Sequence, residues 1–240
     1  MLQRRKLVAA LASAALLPSG IHGLAGAQSR PAEAMGGELW FDPTQLPSFT
    51  GTVERYLLNP NGEVDALLFR EGPQISFPPE VADELRRAVA PGRPLIVWGI
   101  RARNAPVITM LAFAPSAETT PMVLDRFYWR PSNRSAGTGG MPLPFFGTVR
   151  SPFYAPQGAV VGVVLDDGSV VLFPRGTASS EAIRSLLKSG TRIAVSGIGF
   201  QSQEGQAVLA EQFGEPGSLR PVTKDEPGPP AGAPGAARGN

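Results

Sequence analysis

The chain contains no cysteine and only one histidine, His22, among its 240 residues. No disulfide or thiolate nucleophile is therefore available, and an imidazole-based triad or a His/Cys zinc centre has nothing to stand on beyond His22. Charge is scarce as well, at 18% of residues, and aromatics make up 8%. No apolar run reaches the ~18 residues of a membrane-spanning helix. A surplus of positive charge is missing too. The 22 Lys and Arg exceed the 20 Asp and Glu by two, and Arg4, Arg5 and Lys6 sit in a leader with no acid. Past residue 27 the balance is 19 bases to 20 acids, which is not the footprint of a phosphate-binding surface. A hard cation held by carboxylates stays open, but no cofactor and no metal site is implied. Glycine (28) and proline (25) are abundant, and with 42% hydrophobic residues they predict a folded, turn-rich β protein.

Residues 1–27 read as a secretory signal. Arg4-Arg5-Lys6 is its basic start, Leu7 to Leu17 its apolar stretch, and Ala25-Gly26-Ala27 supplies small residues before a cut at Gln28. Eleven residues of helix span about 16 Å, well short of a bilayer core. The paired arginines fit both the general and the twin-arginine export routes, so the expected location is periplasmic or secreted.

The chain repeats itself. Residues 51–78 match 147–174 without a gap, with 9 of 28 positions identical. Gly51-Thr52-Val53 returns as Gly147-Thr148-Val149, and Phe77-Pro78 as Phe173-Pro174. After two extra residues in the second copy, Gly92, Val97, Gly99 and Ile100 match Gly190, Val195, Gly197 and Ile198. Each copy predicts strands at 49–58, 63–70 and 74–77 (146–154, 159–166 and 169–173 in the second). Pro-containing turns and Glu71-Gly72 or Asp167-Gly168 separate them. A short helix follows, carried by Val81, Leu85, Ala88 and Val89 or by Ile183, Leu186 and Leu187. Two more strands close each copy, at 95–103 and 107–113, and at 192–200 and 206–213.

A helix between the third and fourth of five strands is the order of the OB-fold; an SH3-like barrel would not place it there. The predicted class is all-β: two tandem five-stranded OB-fold-like barrels, each with one short helix between strands 3 and 4. The first occupies 46–115 and the second 144–216. Residues 28–45 form a lead-in and 116–143 a linker, with an extra strand suggested over Met122–Arg130. Residues 217–240 are expected to be a disordered Pro/Gly-rich tail. The pattern Gly-Thr-Val, Asn-Pro-Asn-Gly-Glu-Val-Asp, Phe-Pro-Pro also resembles a group of exported bacterial OB-type proteins of unsettled role. That resemblance implies a histidine near Phe77-Pro78-Pro79; Glu80 stands there instead, and Arg175 follows Phe173-Pro174.

OB barrels bind ligands on the face of strands 2 and 3, between the loops after strands 1 and 4. In the first copy this singles out Tyr56, Leu57, Asn59, Phe69 and Arg70. In the second it singles out Phe153, Tyr154 and Gln157, with Leu165 and Asp166 at the strand end. These residues serve either as an aromatic-rimmed ligand or partner surface, or as packing between the barrels. Trp98, opposite Ser196 in the alignment, gives the first copy an added apolar patch, expected to pack on the second barrel or the linker strand. Arg126, Tyr128, Arg130, Arg134 and Arg150 form a basic-aromatic cluster able to bind polyanions, or an amphipathic strand between the barrels. Gly197-Ile198-Gly199 runs from strand to strand, so it is no phosphate cradle. Asp166-Asp167-Gly168 is a turn, and no catalytic set emerges. The expected function is an exported, non-catalytic adaptor for a protein or envelope component. The alternatives are a nucleic-acid or polyanion binder and, behind it, a carboxylate-only hydrolase. Oligomeric state stays open.

Overall fold

The computed structural model describes residues 41–125, 127–128, 140–178, 180–203 and 205–222. The first copy builds β1 (Ser48–Leu58), β2 (Val64–Phe69), β3 (Gln74–Ser76), helix α1 (Ala82–Ala88), β4 (Pro94–Arg101) and β5 (Val107–Ala114). A two-residue strand, β6 (Met122–Val123), follows. The second copy repeats this with β7 (Met141–Tyr154), β8 (Val160–Leu165), β9 (Val170–Leu172), α2 (Glu181–Arg184), β10 (Arg192–Ser202), β11 (Gly205–Glu215) and β12 (Ser218–Pro221).

Each set closes into a five-stranded barrel. In the first, β3-β2-β1-β4-β5 is joined end to end by a parallel β3–β5 pairing. In the second, β7 to β11 close the same circuit through parallel β9–β11 and antiparallel β10–β11 pairs. This is the predicted OB-like order. The copies agree down to their bulges, which fall at Val53/Arg55 and Val149/Ser151, at Leu57/Leu58 and Phe153/Tyr154, and at Trp98/Gly99 and Ser196/Gly197. The last pair explains its shared glycine. A β-carbon on Gly99 would collide with the Thr109 carbonyl, and one on Gly197 with that of Leu209, so only glycine lets the strands cross there.

Inside the first barrel, Val53, Leu67, Ile75, Phe77, Leu95 and Val97 are fully buried, and Leu85 of α1 plugs the end. Val149, Val163, Leu165, Val171, Ile193 and Val195 fill the second in the same way, closed by Ile183 and Leu187. Phe173 and Phe213 meet there edge to face at 4.8 Å, a favoured aromatic geometry.

Three expectations are corrected. The linker strand spans only Met122–Val123, held against Ala112 and Phe113; residues 126 and 129–139 lie outside the described residues. Order does not end at 217, because Ser218–Pro221 pairs with Gln212–Glu215. Residues 223–240 lie outside the described residues. The two extra strands are duplicates: Leu124 N–H donates to Leu111 O and Val222 N–H to Glu211 O, each at 2.8 Å. The repeat therefore includes a sixth strand on the fifth in each copy. Finally, Ala88 is exposed, although its helical spacing from Leu85 predicts that the two share a buried face.

Candidate functional site

Both barrels belong to one compact unit, and the faces on which OB barrels take ligands meet each other. Cross-strand pairing puts Ala66, Leu68, Gln74 and Ser76 on the outer side of β2–β3, next to Thr109 of β5. All are buried. From the second barrel, Phe153, Val164, Val170 and Ala207 join the first barrel's apolar cluster, with Val161 and Leu172 packed against it.

Polar contacts fix the register. The Gln74 amide makes a two-pronged bond to the backbone of Tyr154, Nε2 donating to its carbonyl and Oε1 accepting from its N–H, both at 2.9 Å. Arg150 grips Glu54 with both guanidinium nitrogens on both carboxylate oxygens. Arg55 Nε stands 3.7 Å from the same carboxylate. Glu54 and Arg150 are the same position in the two copies, and both are bulge residues. A position that touches its own duplicate lies close to a two-fold axis. The loops obey that axis. A β-carbon on Gly62 would sit 3.0 Å from the Phe200 ring, and one on the equivalent Gly158 3.1 Å from Ala102, the equivalent of Phe200.

The residues expected to rim an open groove are therefore placed otherwise. Tyr56 is buried, and its hydroxyl donates to Val89 O at 2.6 Å and lies 3.4 Å from Leu85 O, closing the end of α1. Burial pushes this phenol up to about 12, against the opposing pull of Arg86. Leu57, Phe69 and Phe153 are core. Asn59 is buried, its Oδ1 accepting from the N–H groups of Asn61 (2.9 Å) and Glu63 (3.1 Å), so it shapes the turn. Tyr154 is half-buried and contributes its backbone, while Arg70, Gln157 and Asp166 are exposed and Leu165 is core. Trp98 is half-buried in the row Ser48–Trp98–Ala112–Val123, which leads to the linker strand. Of the polyanion cluster, Arg150 is taken up by Glu54. Tyr128 is buried, and its hydroxyl donates to Asp65 Oδ2 at 2.6 Å. Arg126, Arg130 and Arg134 lie outside the described residues.

Two surface features remain. A cleft of about 390 Å³ opens where Gly62, Glu63, Glu80, Asp83 and Arg86 of the first barrel approach Ser202 of the second. Among the described residues, no group of three or more His, Asp or Glu is placed to hold a metal ion. The other feature is an apolar outer face on the second barrel. Phe146 is 71% exposed. Pairing sets out two parallel rows, Phe146–Ala194–Gly214–Leu219 and Pro144–Ser196–Gln212–Pro221. Ala194, Gly214, Ser196 and Gln212 form the floor, with Phe146 and Pro144 on one side and Leu219 and Pro221 on the other. In the first barrel Ile96 and Trp98 stand on the corresponding floor, with Thr50 and Ser48 as neighbours. The apolar bulk has changed strands between the copies. Trp98 against Ser196 stands out in the sequence; its counterpart, Phe146 against Thr50, is in the same alignment but draws notice only once the rows are assembled.

No known family's sequence profile matches the chain, and no curated protein matches it either. No helix among the described residues is long and apolar enough to cross a membrane.

Proposed function

We propose that this is an exported, non-catalytic binding protein that holds a protein or envelope component on the outer face of its second barrel. The supporting observation is Phe146, an aromatic ring 71% exposed beside Ala194 and Gly214, with Leu219 beyond them. Contiguous apolar surface of this kind marks contact sites. The usual OB ligand faces cover each other, which leaves an oligonucleotide no open groove of the familiar type. Export rests on the leader at residues 1–27, which the N-terminal sequence of the mature protein tests directly: it should begin at Gln28.

The binding face is tested by placing a photo-crosslinking residue at Phe146 and, separately, at Arg70, in the living cell. Discrete adducts at position 146 and none at 70 are expected. Adducts at 70 alone, or at neither position, would sink the proposal. Phe146→Ser should shift stability by no more than ~0.5 kcal/mol, as for other exposed sites, while removing the adducts formed from a neighbouring probe at Pro144.

A further inference from the structure

The turn between β1 and β2 carries the single Asn-Gly pair of the sequence, Asn61-Gly62. Such a pair is chemically labile. The glycine nitrogen, uncrowded because its residue has no side chain, can attack the asparagine Cγ. A five-membered succinimide forms and the amide nitrogen leaves as ammonia. Water then opens the ring to aspartate or isoaspartate. The reaction needs a glycine N–H free to give up its proton and a carbonyl oxygen able to take up negative charge. It also needs a backbone that can swing the side chain over the nitrogen.

The folded turn denies all of these. Gly62 N–H is committed to Asn59 O at 2.9 Å. Asn61 Oδ1 is buried and, among the described residues, accepts no hydrogen bond, so nothing there stabilises an oxyanion. The backbone is pinned by Asn59, whose Oδ1 takes the N–H groups of Asn61 and Glu63 at 2.9 and 3.1 Å. The duplicate turn, Ala155-Pro156-Gln157-Gly158, keeps the backbone bond, Gly158 N–H donating to Ala155 O at 2.8 Å. Its glycine has a similar positive φ, 92° against 80°. What it lacks is the side-chain clamp, because alanine stands at the position of Asn59, and it has no asparagine to protect. Clamp and labile pair occur together in the first copy and are both absent from the second.

We infer that Asn61 is a deamidation site held closed by the Asn59 clamp, and that it converts when the turn opens. The site stands apart from the Phe146 face, and its chemistry does not depend on the binding role proposed above. Its product alters a contact between the barrels. Gly62 lies against Phe200, and isoaspartate adds a carbon to the backbone immediately before it. Either product also sets a further carboxylate next to the cleft that Glu63, Glu80 and Asp83 already line.

Conversion is followed by mass, peptide by peptide, in the full chain at mildly alkaline pH; each event replaces an NH2 with an OH and adds one mass unit. The samples are native wild type, wild type in denaturant, native Asn59→Ala, and native Gln157→Asn, which builds an unclamped Asn-Gly pair in the second turn. Asn61 should convert slowly in the native chain and faster in denaturant. Loss of the clamp's hydrogen bonds in Asn59→Ala should raise the native rate by on the order of tenfold. In Gln157→Asn, position 157 should outpace Asn61 within the same molecules by a similar factor. That comparison stands even where Asn59→Ala does not fold, and a general loss of stability would speed both turns alike. Equal rates at Asn61 in the native and denatured chain would overturn the inference, as would no conversion in denaturant. So would a position 157 no faster than Asn61, or a folded Asn59→Ala chain no faster than wild type.

Discussion

The two barrels share strands, bulges and closing pairs, yet their meeting faces have opposite character. Beside Ala66 and Leu68, the first presents Asp65, Gln74, Ser76 and Thr109; the second, beside Gly162 and Val164, presents Val161, Val170, Leu172 and Leu209 at the same positions. Among the described residues, five of the seven buried polar side chains, these four and Asn59, belong to the first barrel. Duplication did not leave two equivalent ligand faces. It left a polar face, with Gln74 bonded to the second barrel and Asp65 to the linker's Tyr128, and an apolar one that packs against the first barrel's cluster. Buried polar groups are tolerated only when hydrogen-bonded, so the first face is specified by its occupants.

The comparison can be broken at several points, the core first. Phe77 and Phe173 are duplicates, but Phe77 belongs to a cluster that continues into Phe153 and Val164 of the second barrel. Phe77→Ala should cost about 3–5 kcal/mol and unfold both barrels in a single calorimetric transition. Two separated transitions would show that the shared cluster does not couple them.

Next comes Gln74→Val, which gives the first barrel the residue the second has at position 170. The Tyr154 N–H and carbonyl lose their partners, and a loss of about 2–4 kcal/mol is expected in denaturant unfolding. No change would mean that the two-pronged bond contributes nothing net. Asp65→Val imports the residue found at Val161 and strips the Tyr128 hydroxyl of an acceptor. This change and Tyr128→Phe should each cost about 1–3 kcal/mol. The double variant should cost less than their sum, a coupling that a double-mutant cycle reads directly.

The smallest effect concerns α1. Tyr56 supports its end, whereas the equivalent Pro152 has no hydroxyl, and the second copy's helix shortens to four residues before passing into a tighter turn. Tyr56→Phe should cost about 1 kcal/mol at neutral pH. Its phenol is raised from 10.0 to about 12 in the folded chain, so the unfolded chain loses this proton first. The contribution is therefore whole below pH 10 and falls away as pH rises towards 12. The Phe variant should lack this component of the alkaline stability loss.

Much of this architecture is legible in the residues. Strand order, helix placement and the glycines that turn or cross strands follow from pattern and from backbone sterics. Of the sixth strands, the first shows in the alternation that begins at Met122, though it ends at Val123, while the second does not, because Ser218–Pro221 pairs through backbone along one edge and needs no particular side chains. Tyr56, Leu57 and Phe153 are legible as apolar strand residues, but alternation cannot say whether an outward face meets water or another barrel. The contact between the barrels does leave one trace in the sequence. Glutamate at 54 and arginine at 150 are opposite charges at duplicate positions, which is what a two-fold contact within a single chain permits and a symmetric homodimer forbids.

The polar character of the first barrel's face also matters for the order in which the chain appears. Synthesis delivers the N-terminal half first, and domains tend to fold as they emerge. A first barrel with an exposed valine- and leucine-rich face would wait for its partner as a sticky intermediate. With Asp65, Gln74, Ser76 and Thr109 turned outward, it can wait in water. The greasy half arrives last, when its cover is already built.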